Sequence, residues 1–180
     1  MPTIVVPYRG DAKRRLPPAI RAAVALAMLG DVVEAALHVG RVIVVTDDAA
    51  TVPPGADWIS DSGTGLGPAV AAGLADVDGH ALVLNADLPA ATPATIEELA
   101  AAGLALVEAT DGTTNALSLP HPEIFAPLYG AGSASRFRAH AAFATVSIPE
   151  LEADVDTLAD LERLTLFVGR RTRTLLAVPA

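Results

Sequence analysis

Four short segments carry residue types whose spacing suits phosphate and metal chemistry. Asp87, in Leu84-Asn-Ala-Asp-Leu-Pro89, follows the apolar run Ala81 to Ala86. A carboxylate at the end of a buried strand is costly unless it is paired, capped or coordinated. Asp87 therefore either holds a metal beside a nucleotide or serves as a turn or cap residue. In Asp154-Val-Asp156 the carboxylates are two positions apart, and in extended chain such residues share a face. Both could meet one cation, and magnesium favours such oxygen donors together with substrate phosphates. The alternative assigns Asp156 to the first turn of a helix beside Thr157.

The third segment, Pro7 to Leu16 (PYRGDAKRRL), carries Arg9, Lys13, Arg14 and Arg15 between a strand and a helix. It reads as a phosphate cradle, because ammonium groups and helix N-termini both favour anions, or as a solvated basic loop. It is not a Walker loop, which needs GxxxxGK[ST]. The fourth pairs Gly112 to Pro120 (GTTNALSLP) with Tyr129 to His140 (YGAGSASRFRAH). Small residues and the hydroxyls of Thr114 and Ser133 near a helix start make an oxyanion site without lysine. Turn glycines and an N-cap serine are the simpler reading.

Strands and helices must position these segments. Thr3 to Val6, Arg41 to Thr46, Asp57 to Ser60, Ala81 to Ala86, Leu104 to Ala109, Ala116 to Leu119 and Thr145 to Ile148 read as strands. Several are apolar without alternation, as in sheets buried on both faces. Ala19 to Val39 reads as a helix ending at Gly40. The glycine-rich turn Ser62 to Gly67 leads into a second near Pro68. Thr92 caps a helix through Ala102, Pro122 to Leu128 reads as a short helix, and another follows Ser133, through Ala142. Thr157-Leu-Ala-Asp160 is a capping box opening a last helix, with Arg170, Arg171 and Arg173 in the tail. This alternation predicts α/β architecture around a largely parallel sheet. Such sheets bind ligands outside the carboxyl ends of their strands.

Composition narrows the function. The 180 residues include 21 acidic and 12 basic side chains, a net charge of −9, and no cysteine. Lys13 is the only lysine. The length fits a single domain. An acidic chain without a basic block argues against nucleic acid as a partner. The absence of cysteine excludes disulfides, thiolate metal sites and a cysteine nucleophile. Mean hydropathy is +0.44, but no run approaches the ~20 apolar residues of a spanning helix, and no signal peptide is legible. The expectation is a cytoplasmic protein that does not engage membranes. His38, His80, His121 and His140 lack zinc spacing, and no GxSxG elbow is present.

In order, VVPYRGDAKRRL, LNADLP, GTTNALSLP, YGAGSASRFRAH and ADVDTLADL resemble the 2-phospho-L-lactate (or phosphoenolpyruvate) guanylyltransferase family of coenzyme F-420 biosynthesis. The resemblance spans nearly the whole chain. It implies the Rossmann-like nucleotide-diphospho-sugar transferase fold, a largely parallel central sheet with helices on both faces. It implies transfer of GMP from GTP to a phosphorylated three-carbon acid, with release of pyrophosphate. The acid is phosphoenolpyruvate in actinobacterial members, 2-phospho-L-lactate in archaeal ones and 3-phosphoglycerate in some bacteria. Carried over, Asp87, Asp154 and Asp156 hold Mg²⁺; Thr114, Gly130 and Ser133 grip the acid; Lys13 and Arg15 bind the nucleotide, with Lys13 and Asp87 as the catalytic pair. Family members can be dimeric, so a homodimer is among the implied partners. Arg9 stands where the family often has lysine, the first loop is shorter than usual, and Gly67-Pro68 replaces a frequent asparagine. A molybdopterin cytidylyltransferase-like enzyme and an inactive nucleotide-binding module are the competing readings.

Overall fold

A computed structural model describes residues 1–10 and 15–177. The strands are β1 (Thr3–Pro7), β2 (Arg41–Thr46), β3 (Asp57–Ser60), β4 (Ala81–Leu84), β5 (Ala105–Glu108), β6 (Thr114–Leu119) and β7 (Ala144–Thr145). They form one sheet in the order β3-β2-β1-β4-β6-β5-β7. Among the described residues only β6 runs against the others, pairing antiparallel with both β4 and β5. The helices are α1 (Pro18–Leu37), α2 (Leu66–Leu74), α3 (Pro93–Ala101), α4 (Ser133–His140), α5 (Pro149–Glu152), α6 (Leu158–Leu164) and α7 (Arg170–Leu176).

The unalternating strands are explained by helices on both faces. In β1, Ile4 and Val6 pack with Leu29 of α1 and Ile96 of α3. Val5, on the opposite side of the pleat, packs with Val70 of α2 and Phe137 of α4. A third layer covers the outer side of α1, where Val24 and Met28 meet Leu161, Leu164 and Val168. This second covering buries much of a helix that is apolar along its length. No helix among the described residues is long and apolar enough to cross a membrane.

Local signals decide several boundaries. Thr92 accepts from the Thr95 amide in a capping box that starts α3. The predicted box at Thr157 and Asp160 starts α6. Three expectations are corrected. The strand expected at Thr145 to Ile148 is shorter and starts a residue earlier: β7 is Ala144–Thr145, the Val146 amide makes a last bond to the Leu106 carbonyl, and Pro149 opens α5. Pro122 to Leu128 contains only a single 3-10 turn, Pro122–Ile124. The tail arginines begin α7, so the helix at Thr157 is not the last. The reason lies far away in sequence. Asp31, buried in the middle of α1, accepts from the Arg171 and Thr172 amides at 2.8 and 2.9 Å. It satisfies the first turn of a helix that has no side-chain N-cap.

Candidate active site

The chain runs outward from β1 to β2 and β3, then returns to the other side of β1 as β4. Such a reversal opens a crevice at the carboxyl ends of the strands. A cleft of about 220 Å³ lies there, between Pro7–Arg9 after β1 and Asn85–Asp87 after β4. Tyr8, Met28 and Leu66 give it apolar walls, and Asp61 and Asp87 supply carboxylates. Asp61 is 1% exposed at its side chain and accepts from Arg9 Nε at 3.0 Å. Its other oxygen accepts from the Gly63 amide at 2.9 Å. Burial, together with Asp48 and Asp47, pushes the Tyr8 hydroxyl above its ordinary pKa, so this wall is neutral at physiological pH.

Asp61 was not among the residues singled out from sequence. The usable signal was its position immediately after β3 and before the glycine-rich turn, where Gly65 adopts φ +126° to start α2. Only glycine takes that backbone cheaply.

Asp87, Asp154 and Asp156 are brought together. The Val155 amide donates to the Asp87 carbonyl at 3.1 Å, tying the two acidic segments side by side. Val155 is wholly buried beneath α1 and α6, so the aspartates flanking it turn the other way, as expected for extended chain. One oxygen from each of the three carboxylates lies within 4.8 Å of the others. The triad also joins two spaces, since Asp87 borders the first cleft. Asp154 and Asp156 border a second, of about 400 Å³, with Arg15, Asp111 and Arg163.

Arg15 lies 3.6 Å from Asp156, Arg15 largely in solvent and Asp156 half-buried. Lys13 lies outside the described residues. Asp160 braces the segment from below, accepting from the Asp156 and Thr157 amides at 3.2 and 2.8 Å. Burial pushes the Asp160 carboxyl up, but the bonds from Thr157 and Asp156 and the nearby Arg163 outweigh it and hold it below the ordinary range.

Thr114 and Ser133 meet directly, Ser133 Oγ donating to Thr114 Oγ1 at 3.0 Å. Both are buried, so their hydroxyls face each other. Ser133 is the first residue of α4 and not its N-cap, which is Gly132 at φ +69°. Gly130, at φ +113°, accepts from the Ser133 amide at 2.9 Å. Arg136 shapes this loop through bonds to the Leu128, Tyr129 and Ala131 carbonyls. Arg138 pairs with Glu108 at 2.6 Å. Asn85, two residues before Asp87, donates from its side-chain amide to the Thr114 carbonyl at 3.3 Å.

A crevice at the strand reversal, walled by apolar side chains and joined through a carboxylate triad to a second cleft, belongs with the fold of a nucleotidyltransferase. The MobA-like NTP transferase domain matches residues 26–146. A nucleotidyl transferase from Methanothermobacter thermautotroptrophicus superposes with a TM-score of 0.69 at 17% identity, over 97% of this chain and 99% of its own. A phosphoenolpyruvate guanylyltransferase from Geodermatophilus obscurus is 41% identical, over 89% of this chain and 81% of that protein. A 2-phospho-L-lactate guanylyltransferase from Natrialba magadii is 33% identical, over 94% and 85%. The chain belongs to this guanylyltransferase family within the MobA-like NTP transferases.

Proposed function

We propose that the protein transfers GMP from GTP to phosphoenolpyruvate in deazaflavin coenzyme F-420 biosynthesis, with 2-phospho-L-lactate as the alternative acid. The observation that carries this reading is the carboxylate triad at the junction of two clefts. It is the arrangement needed to bring two phosphorylated substrates to one point. The Geodermatophilus obscurus phosphoenolpyruvate guanylyltransferase supports phosphoenolpyruvate by its identity of 41%, against 33% and 34% for the 2-phospho-L-lactate guanylyltransferases of Natrialba magadii and Haloferax volcanii.

Three carboxylate oxygens within 4.8 Å are a hard-oxygen donor set that suits Mg²⁺, which completes its shell with water and phosphate. When bound there by Asp87, Asp154 and Asp156, Mg²⁺ supplies charge neutralisation between two anionic substrates. The apolar walls of the first cleft take the base. Lys13 and Arg15 offset charge on the triphosphate. Thr114, Gly130 and Ser133 orient the acid, the buried hydroxyl pair of Thr114 and Ser133 fixing the backbone of the loop that carries Gly130. A phosphate oxygen of the acid then bonds to the α-phosphorus of GTP, the α–β bridge breaks and pyrophosphate leaves. That oxygen is already ionised near neutral pH, so the chain need not provide a general base. Catalysis is positioning and charge compensation.

The test is pyrophosphate release by the purified protein with Mg²⁺, each of the four nucleotides, and phosphoenolpyruvate, 2-phospho-L-lactate or 3-phosphoglycerate in turn. Turnover should be greatest with GTP and phosphoenolpyruvate and vanish with EDTA. Faster turnover with CTP in a parallel reaction supplied with a molybdopterin acceptor, or GTP binding with no turnover on any acid, would overturn the reading.

A further inference from the structure

Asn115 has no part in the chemistry described so far, yet it is 2% exposed, and burying a carboxamide is unfavourable unless its hydrogen bonds are made. It sits at an irregularity in the sheet. Val107 pairs with Ala116 and Glu108 with Thr114, leaving Asn115 as the extra residue of a β-bulge. Bulges re-aim side chains and recur near active sites. Here the side chain is turned onto the end of α5. Its Nδ2 donates to the Leu151 and Glu152 carbonyls at 3.1 and 3.0 Å and reaches Asp154 Oδ1 at 3.5 Å.

The carbonyls that end a helix lack partners within it. Asn115 supplies them, so α5 ends cleanly at Glu152. Ala153 leaves the helical region at φ −94°, ψ 85°, and the chain passes into the stretch that carries Asp154 and Asp156. The two hydrogens of Nδ2 match the two carbonyls, and the longer contact places the same amide beside a carboxylate of the triad. The Asn115 carbonyl also accepts from the Asn85 amide at 3.0 Å, two residues before Asp87. One residue therefore touches both acidic segments.

We propose that Asn115 is a positioning residue for the metal site: it ends α5 and holds Asp154 in register with Asp87. It acts through Asp154, not on substrate. Partners behind a metal ligand of this kind typically govern affinity by about 10–100-fold. Leucine in its place keeps the volume and removes both donors; alanine removes the side chain as well. The inference rests on the reading of the triad as a metal site.

The experiment is Mn²⁺ titration in the cold, following the EPR signal of the free ion, on the wild-type chain and on Asp87→Asn, Asn115→Ala and Asn115→Leu. Both Asn115 variants should bind Mn²⁺ about 10–100-fold more weakly. In turnover assays they should need correspondingly more Mg²⁺ for half-maximal rate and regain rate at high Mg²⁺, which loss of fold alone would not produce. A wild-type chain that binds no Mn²⁺, or an Asp87→Asn chain that binds it equally well, sinks the metal reading itself. Wild type and Asp87→Asn differing as expected, with both Asn115 variants within about threefold of wild type, overturns only the role of Asn115. If neither variant folds, the wild-type chain decides. The side-chain NH₂ resonances of Asn115 should shift at saturating Mg²⁺, and stationary resonances overturn the proposal.

Discussion

A cation shared by three carboxylates should stabilise the folded protein, so replacing Asp87 by asparagine should remove that stabilisation together with the activity. The carboxylate oxygens lie within 4.8 Å of one another. At that separation each pair repels by about 0.9 kcal/mol under water-like screening and about 3.5 kcal/mol at an effective dielectric of 20. The side chains are half-buried, and Arg15, 3.6 Å from Asp156, already offsets part of this repulsion, so the lower end of that range applies to what a divalent ion relieves. A ligand of the folded state contributes about 1.4 kcal/mol for each tenfold excess over its dissociation constant. Urea denaturation in EDTA and in Mg²⁺ measures the gain. Wild type should gain this and Asp87→Asn should not, while pyrophosphate release by the variant falls by orders of magnitude. A variant stabilised by Mg²⁺ as much as wild type would refute the shared-cation reasoning.

Asp31→Ala strands two amides of α7, that of Thr172 buried, and should cost about 2–3 kcal/mol, with amide exchange in residues 170–176 rising first; unchanged exchange there would show that α7 is held otherwise. Gly73→Ala should cost about 1–3 kcal/mol in denaturant unfolding although alanine favours helix, because the new Cβ would lie 2.5 Å from Val5 Cγ1 and 2.9 Å from Val45 Cγ2; a neutral result would mean that α2 can slide on the sheet. His80, hydrogen-bonded to Ser118, has its pKa lowered from 6.5 by burial and then by the N-terminal charge. Its neutral form favours folding, so that stability is complete above the unfolded value and is lost as pH falls through the folded one. The melting-temperature gap between wild type and His80→Gln should narrow on acidification, and a pH-independent gap would contradict this.

The sheet was legible because burial on two faces leaves a simple trace. Runs such as Arg41–Thr46 and Ala81–Leu84 have five and four buried residues respectively, so no polar position interrupts them. The N-cap at Thr92 and the capping box at Thr157 act within four residues and were equally readable. What escaped were elements stabilised at long range. Helix α7 is started by Asp31, 140 positions earlier, and no window over Arg170–Leu176 contains that carboxylate. Strand β7 has only two residues because Pro149 begins a helix so soon after it, and its short apolar run could not be told from a longer strand.

The site divides along the same line. Asp87 follows a parallel strand, where chemistry is expected, and the spacing of Asp154 and Asp156 around Val155 is a property of extended chain. Thr114 and Asn115 do not follow a strand; they open one. They reach the site because β6 is antiparallel, which carries its beginning to the carboxyl end of β4, where Ala116 faces Leu84. Strand direction is set by the whole sheet, so GTTNAL could be noticed as a motif without its place being derivable. The bulge there lets one strand serve both halves of the site. Thr114 turns toward Ser133 and the Gly130 loop, while Asn115 turns toward Asp154. Under the proposed reaction a chain of net charge −9 would depend on this division to gather two anions, because its carboxylates would help only where another element holds them close enough to share a cation.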